Sequence, residues 1–232
     1  MQHTLKAFDA DIDGMRSTVM AMGGLVEKQV ARAVEAIEHS DLRLVSQVLI
    51  DEEVVNNYHI QTDIICNRIL AKRQPLAIDL REVIGTLHTV NDLERIGDEA
   101  KKIAKRVREL EQHSNRGKIP FVKISQMAEA VREMLQQALD AFLRHDPQVA
   151  TRLVAQDTEV DQLRDTLNAD LAALMSSEPS CVSGTLNLVF IVQSIERIGD
   201  HAKNIAEYVV NVVEGVDMRH AGGDFSKASR GT

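Results

Sequence analysis

Aromatic residues make up only 3% of this 232-residue chain, and tryptophan is absent. Single-stranded nucleic acids are held on aromatic stacking platforms, and phosphate backbones need a basic face. With so few rings and a net charge of −8, the composition argues against a nucleic-acid partner. The two cysteines, Cys66 and Cys181, stand alone with no Cys-x-x-Cys, which removes both a disulfide framework and a zinc knuckle. No apolar run reaches the roughly 18 residues of a membrane-spanning helix. The stretch from Met1 to Asp13 is acidic and lacks a signal-peptide core. The expected protein is therefore cytoplasmic, without membrane insertion. Proline occurs four times, and hydrophobic residues make up 44%. With long stretches of helical periodicity, that composition predicts an all-α helical bundle.

What is present is a repeat. Glu94-Arg95-Ile96-Gly97-Asp98-Glu99-Ala100-Lys101-Lys102-Ile103-Ala104 returns, with nine of eleven positions identical and 102 residues later, as Glu196-Arg197-Ile198-Gly199-Asp200-His201-Ala202-Lys203-Asn204-Ile205-Ala206. An internal repeat fixes the architecture before anything else, and here it predicts a tandem duplication. Around the first copy Leu93, Ile96, Ala100, Ile103, Val107 and Leu110 alternate steps of three and four; around the second, Ile195, Ile198, Ala202, Ile205, Val209 and Val212 do the same. That is the buried seam of a helix packed at a shallow angle. Glu94 and Asp98, four apart, share a helical face turned away from the seam, and so do Glu196 and Asp200.

Two readings of these carboxylate pairs stand side by side. Asp98 with Lys101 or Lys102, and Asp200 with Lys203, can form surface ion pairs worth about 0–1 kcal/mol each. Carboxylates one turn apart are also half of an oxygen-rich site for a hard or borderline cation, with waters or a second helix completing the shell. Gly97 and Gly199 likewise serve either close helix packing or exposure of backbone beside the acids. A mid-helix glycine costs about 1 kcal/mol relative to alanine.

Six helices are expected. They run over about Leu5–His39, Leu42–Arg73 and Ile78–Gln112, then about Val122–Arg144, a fifth after Asp146-Pro147, and about Gly184–Glu214. Gly23-Gly24 marks a kink or a close contact in the first. Ser40-Asp41 caps the second, and Asp79 is a candidate cap for the third. The domain reading is two three-helix bundles, residues 1–117 and 118–214, joined near His113–Pro120, with a loosely ordered tail over 215–232. At a spacing of 106, His39 answers His145, and Asp51-x-Glu53-Val54 answers Asp157-x-Glu159-Val160. Asp51 and Asp157 could bring an acid near each motif or be ordinary surface residues. His201, whose counterpart is Glu99, reads as an incidental surface residue. The eight histidines form no His-Glu-x-x-His and no Glu-x-x-His pattern.

The paired Glu-Arg-Ile-Gly-Asp motifs resemble those of the PhoU family of bacterial phosphate-transport regulators. Val19-Met20-Ala21-Met22-Gly23-Gly24-Leu25-Val26-Glu27 resembles its first helix, and Ala71-Lys72-Arg73-Gln74-Pro75 the end of its second. Arg219-His220-Ala221-Gly222-Gly223-Asp224 resembles its tail. The resemblance implies a cytoplasmic protein of two similar three-helix bundles that represses the phosphate-starvation response. It implies a link between the phosphate ABC transporter, through its ATPase PstB, and the sensor histidine kinase PhoR, favouring the non-signalling kinase when phosphate is plentiful. Homo-oligomers, dimers in particular, are expected. Some members bind iron or zinc clusters through these motifs, which by position implies Glu94, Asp98, Glu196 and Asp200 as metal ligands here.

A rival class is a carboxylate-bridged metalloenzyme on a helical bundle. It would need a nucleophile, or an open metal position beside an acid–base residue, and no His-rich or Ser/Cys arrangement supplies one. A purely structural bundle would explain the seams but not the repeated acids. A non-catalytic adaptor fits best.

Overall fold

The computed structural model describes residues 2–111 and 121–216, with side chains from residue 6. The expected linker at His113–Pro120 and nearly all of the expected tail lie outside them. The order is α1 (Gln2–His39), α2 (Leu42–Arg73), α3 (Ala77–Leu110), α4 (Phe121–Arg144), α5 (Gln148–Ser177), a 3-10 turn (Pro179–Cys181) and α6 (Val182–Glu214). Helices α1–α3 form one bundle and α4–α6 the other, the two three-helix units that the repeat predicts.

Local chemistry sets the ends. Asp41 caps α2, its carboxylate accepting from the Arg43 backbone N–H at 2.8 Å, and Asp146 accepts from Gln148 N–H at 3.0 Å at the start of α5. The α3 start differs from expectation. The chain already becomes helical at Ala77, so Asp79 lies inside the first turn, where a negative charge favours the helix dipole without capping. Helix α2 ends on Gln74 in the left-handed region at φ 50°, followed by Pro75, which cannot continue a helix. Gly215, at φ +74°, closes α6 and donates to the Asn211 carbonyl at 3.0 Å.

Every seam residue of the two motif helices is buried, from Leu93 to Leu110 and from Ile195 to Val212. Each large aliphatic side chain so buried contributes about 1.5–3 kcal/mol. The apolar interior runs continuously through both bundles, because α3 and α6, the two repeat copies, pack against one another as the most extensive helix pair. A second junction joins α1 to α4. There a Cβ at Gly23 would stand 2.6 Å from Leu139 Cδ2, so Gly23 is a close contact, and α1 runs on through it. Cys66 and Cys181 are free and lie in different bundles.

The second helices align at a spacing of 105 rather than 106. Ser40 and His145 take the positive-φ position of the two turns, and Asp41 and Asp146 each accept from the backbone N–H two residues on. Val55 and Val160 are the buried pair, while Val54 is 42% exposed. The counterpart of Asp157 is therefore Glu52 and not Asp51. The acidic run Asp51-Glu52-Glu53 lets a sequence match slide by one residue, and burial of Val55 fixes the register. Among the described residues no strand occurs.

Candidate functional site

The first motif faces α2. Lys101 Nζ lies 3.2 Å from Asp98 Oδ1 and 3.4 Å from Glu52 Oε1. Glu52 is 3% exposed, and its Oε2 accepts from Gln29 Nε2 at 3.0 Å. Gly97 makes the room for this arrangement. A Cβ there would stand 3.0 Å from Gln29 Oε1 and 3.1 Å from Glu52 Oε2. Burial pushes the Glu52 carboxyl above its ordinary range, against the pull of Gln29 and Lys101. Burial also pushes on Asp98, but the hydrogen bond and charge of Lys101 outweigh it and hold Asp98 low. Glu94, on the same face one turn earlier, meets Arg95 at 3.7 Å.

The second motif repeats the plan with different neighbours. Lys203 bridges Asp157 on α5 and Asp200 on its own helix, the latter at 3.3 Å. Burial raises Asp157 against the opposing Lys203. Glu196 accepts from Arg164 Nη1 at 2.6 Å. A Cβ at Gly199 would meet Val131 Cγ2 at 3.3 Å and Met134 at 3.8 Å, so the glycine packs here against apolar α4 instead of a glutamine and a buried acid. Both glycines thus serve packing.

Each pair of candidate ligands therefore shares a helical face, and in each motif a lysine bridges the aspartate to an acid from the neighbouring helix. Glu52 is the member that sequence reading missed, since the one-residue slip pointed to Asp51, which instead pairs with Arg32 and Gln47. The chemistry shared by the two copies is a cation held between two carboxylates, supplied by the chain itself. All-oxygen donors suit a hard cation, and the ammonium groups of Lys101 and Lys203 mark where positive charge is stabilised. Among the described residues no three His, Cys, Asp or Glu side chains converge as a closed metal site. An ion there would have to take the lysine's place and complete its shell with water.

The opposite side of each motif helix faces the other bundle. His201 is not incidental: its Nδ1 lies 2.6 Å from Asp92 Oδ1 across the α3–α6 contact. Glu99, its counterpart by the repeat, meets Lys102 at 2.7 Å and Arg197 of the other bundle at 3.6 Å. Arg95 and Arg197 themselves stay mostly exposed, at 67% and 56% of the side chain.

A duplicated helical bundle with a lysine-bridged acidic pair in each half is a narrow class. The PhoU domain model matches residues 19–107 and again 124–209. The phosphate-specific transport system accessory protein PhoU homolog of Pseudomonas aeruginosa is 43% identical over 95% of this chain and 90% of its own length. The PhoU accessory protein of Escherichia coli K12 is 37% identical over 96% and 92%. The crystal structure of PhoU from Pseudomonas aeruginosa superposes with a TM-score of 0.85 over 90% of this chain and all of that one, at 43% identity. That of the phosphate transport regulatory protein PhoU from Streptococcus pneumoniae gives 0.83 over 90% and 98%, at 26% identity. The chain belongs to the PhoU family.

Proposed function

We propose that this protein represses the phosphate-starvation response by linking the phosphate ABC transporter, through PstB, to the sensor kinase PhoR. The family is one of regulatory proteins of phosphate homeostasis, not of catalysts. The observation that carries the reading is the match of both repeats, end to end, to accessory proteins of phosphate-specific transport. Exposed Arg95 and Arg197, beside the motif acids and outside the seam, offer charged contacts at little cost to folding. The adaptor acts as a homo-oligomer, with a dimer as its simplest form. Co-purification from phosphate-replete and phosphate-starved cells tests the link. Kinase and transporter ATPase should be retained, and Arg95→Gln with Arg197→Gln, which removes both charges without setting a carboxylate against buried Glu99, should lose them while keeping normal helicity. Absence of both partners from the unaltered protein in either condition contradicts the adaptor reading.

Metal binding belongs to the same proposal. Glu94, Asp98, Glu196 and Asp200 would hold iron or zinc, with Glu52 and Asp157 as additional oxygen donors. The ion competes with Lys101 and Lys203 for the same carboxylates, so Lys101→Met with Lys203→Met should increase the metal retained and Asp98→Asn with Asp200→Asn should abolish it. Elemental analysis after purification without chelators reads both. Unchanged metal content in the aspartate double variant counts against these ligands.

A further inference from the structure

The α3–α6 contact carries two equivalent grooves, one near each end, because the paired helices are copies of one another. In one of them Asn204, Glu207 and Tyr208 of α6 stand 102 positions after Lys102, Lys105 and Arg106 of α3. This groove is closed by its own side chains. His88 stacks on Tyr208 with ring centroids 5.0 Å apart. Asp92 takes His201 at 2.6 Å and Asn204 at 3.4 Å.

The other groove is open, with a volume of about 200 Å³. Lys102, Lys105 and Arg106 line it from α3, and Arg197 lines it from α6, against a single lining carboxylate among the described residues, Glu109. Four cations around one cavity are conspicuous in a chain of net charge −8. Three of the four are also held in place. Buried Glu99 (5% exposed) lies behind the groove and ties Lys102 to Arg197 across the two helices. The Arg106 guanidinium lies 4.5 Å from the Phe190 ring centroid, bonded to Asn187 at 3.1 Å and Glu109 at 2.8 Å. Lys105 makes no ion pair or hydrogen bond among the described residues. Gln193 and Ser194 add polar groups to the wall.

We infer that the groove between Lys102, Lys105, Arg106 and Arg197 binds a compact, multiply charged oxyanion: a phosphate or diphosphate, free or as the phosphoryl end of a larger molecule. Fixed guanidinium and ammonium donors from two helices match such a ligand's geometry and charge. The volume lies below the roughly 300–1,000 Å³ of pockets that enclose whole drug-sized ligands, so only the phosphoryl part is enclosed. Because the site spans α3 and α6, occupancy clamps the two bundles together. The inference rests on this geometry and not on the adaptor reading; the two share Arg197, and the lysine variants below, which leave Arg197 in place, keep their tests apart.

Isothermal titration of the full chain with inorganic phosphate, pyrophosphate and ATP, at low and physiological salt, tests it. Saturable binding is expected for at least one of them, weaker at higher salt as charge screening demands. Binding of inorganic phosphate or pyrophosphate identifies a free anion, and binding of ATP alone identifies the phosphoryl end of a larger ligand. Lys105→Glu, which removes a cation with no partner to disturb, should weaken affinity at least about tenfold, the scale of one lost charge contact of about 1.4 kcal/mol. Lys102→Gln with Lys105→Gln should weaken it further. Arg95→Gln, at the position equivalent to Arg197 in the first repeat and outside the open groove's lining, should leave it unchanged. Two results overturn the inference: no saturable binding of any of the three ligands to about 10 mM, or binding that survives both lysine variants in folded protein.

Discussion

At the scale of single residues, the motif acids are controlled by burial and by a lysine. Glu52 and Asp157 occupy equivalent positions on α2 and α5, and burial raises both above the ordinary carboxylate range. A carboxyl raised on folding binds its proton more tightly in the native than in the unfolded chain. Its stabilisation is therefore fully present below its unfolded pKa and is lost as pH rises through the folded one. Glu52→Gln with Asp157→Asn removes this dependence while keeping shape and most hydrogen bonds. Denaturant unfolding at several pH values between about 4 and 7 should show the parent losing stability relative to the double variant as pH rises. A parent that gains on the variant over the same range would show that Lys101 and Lys203 outweigh burial. The motif acids, the pairing of Asp98 with Lys101 or Lys102 and of Asp200 with Lys203, and the carboxylate-sharing face were legible in the sequence, because they lie within one turn of one helix; the structure selects Lys101. Glu52 was not, because its place beside Asp98 depends on which face of α2 is buried, and the run Asp51-Glu52-Glu53 offers three acids to choose from. His201 was misread for a similar reason: its partner Asp92 is 109 positions away in the other bundle.

At the scale of elements, the glycines show how one repeated motif meets two environments. Gly97→Ala gains about 1 kcal/mol of helix propensity but drives a methyl to 3.0–3.1 Å from buried Gln29 and Glu52 oxygens. Overpacking of that kind costs about 1–3 kcal/mol, so a net loss of about 1 kcal/mol is expected. Gly199→Ala meets Val131 at 3.3 Å and the pliant Met134 at 3.8 Å, and should be neutral or stabilising by up to about 0.5 kcal/mol. Thermal unfolding of the two variants side by side checks this, and equal effects at both sites would contradict it. Helix order and most boundaries could be read from periodicity and caps, within the usual couple of residues. The joining of the bundles through α3 and α6 could not. Seam positions say that a face is buried, but not whether the neighbour comes from the same repeat or from the other copy.

At the scale of the whole molecule, the duplication makes a two-sided object. One side of each motif helix carries an acid–lysine cluster, and another side meets its own copy across a shared interior. No described helix is long and apolar enough to cross a membrane. On the adaptor reading proposed above, a regulator built this way acts through its amount and its contacts, with no turnover. Deletion of the gene followed by growth in phosphate-rich medium, with phosphate-starvation genes as the readout, tests that account most directly. Expression of those genes should rise despite ample phosphate and return to its low level when the full chain is restored. A deletion strain that still represses them normally in high phosphate would contradict the account.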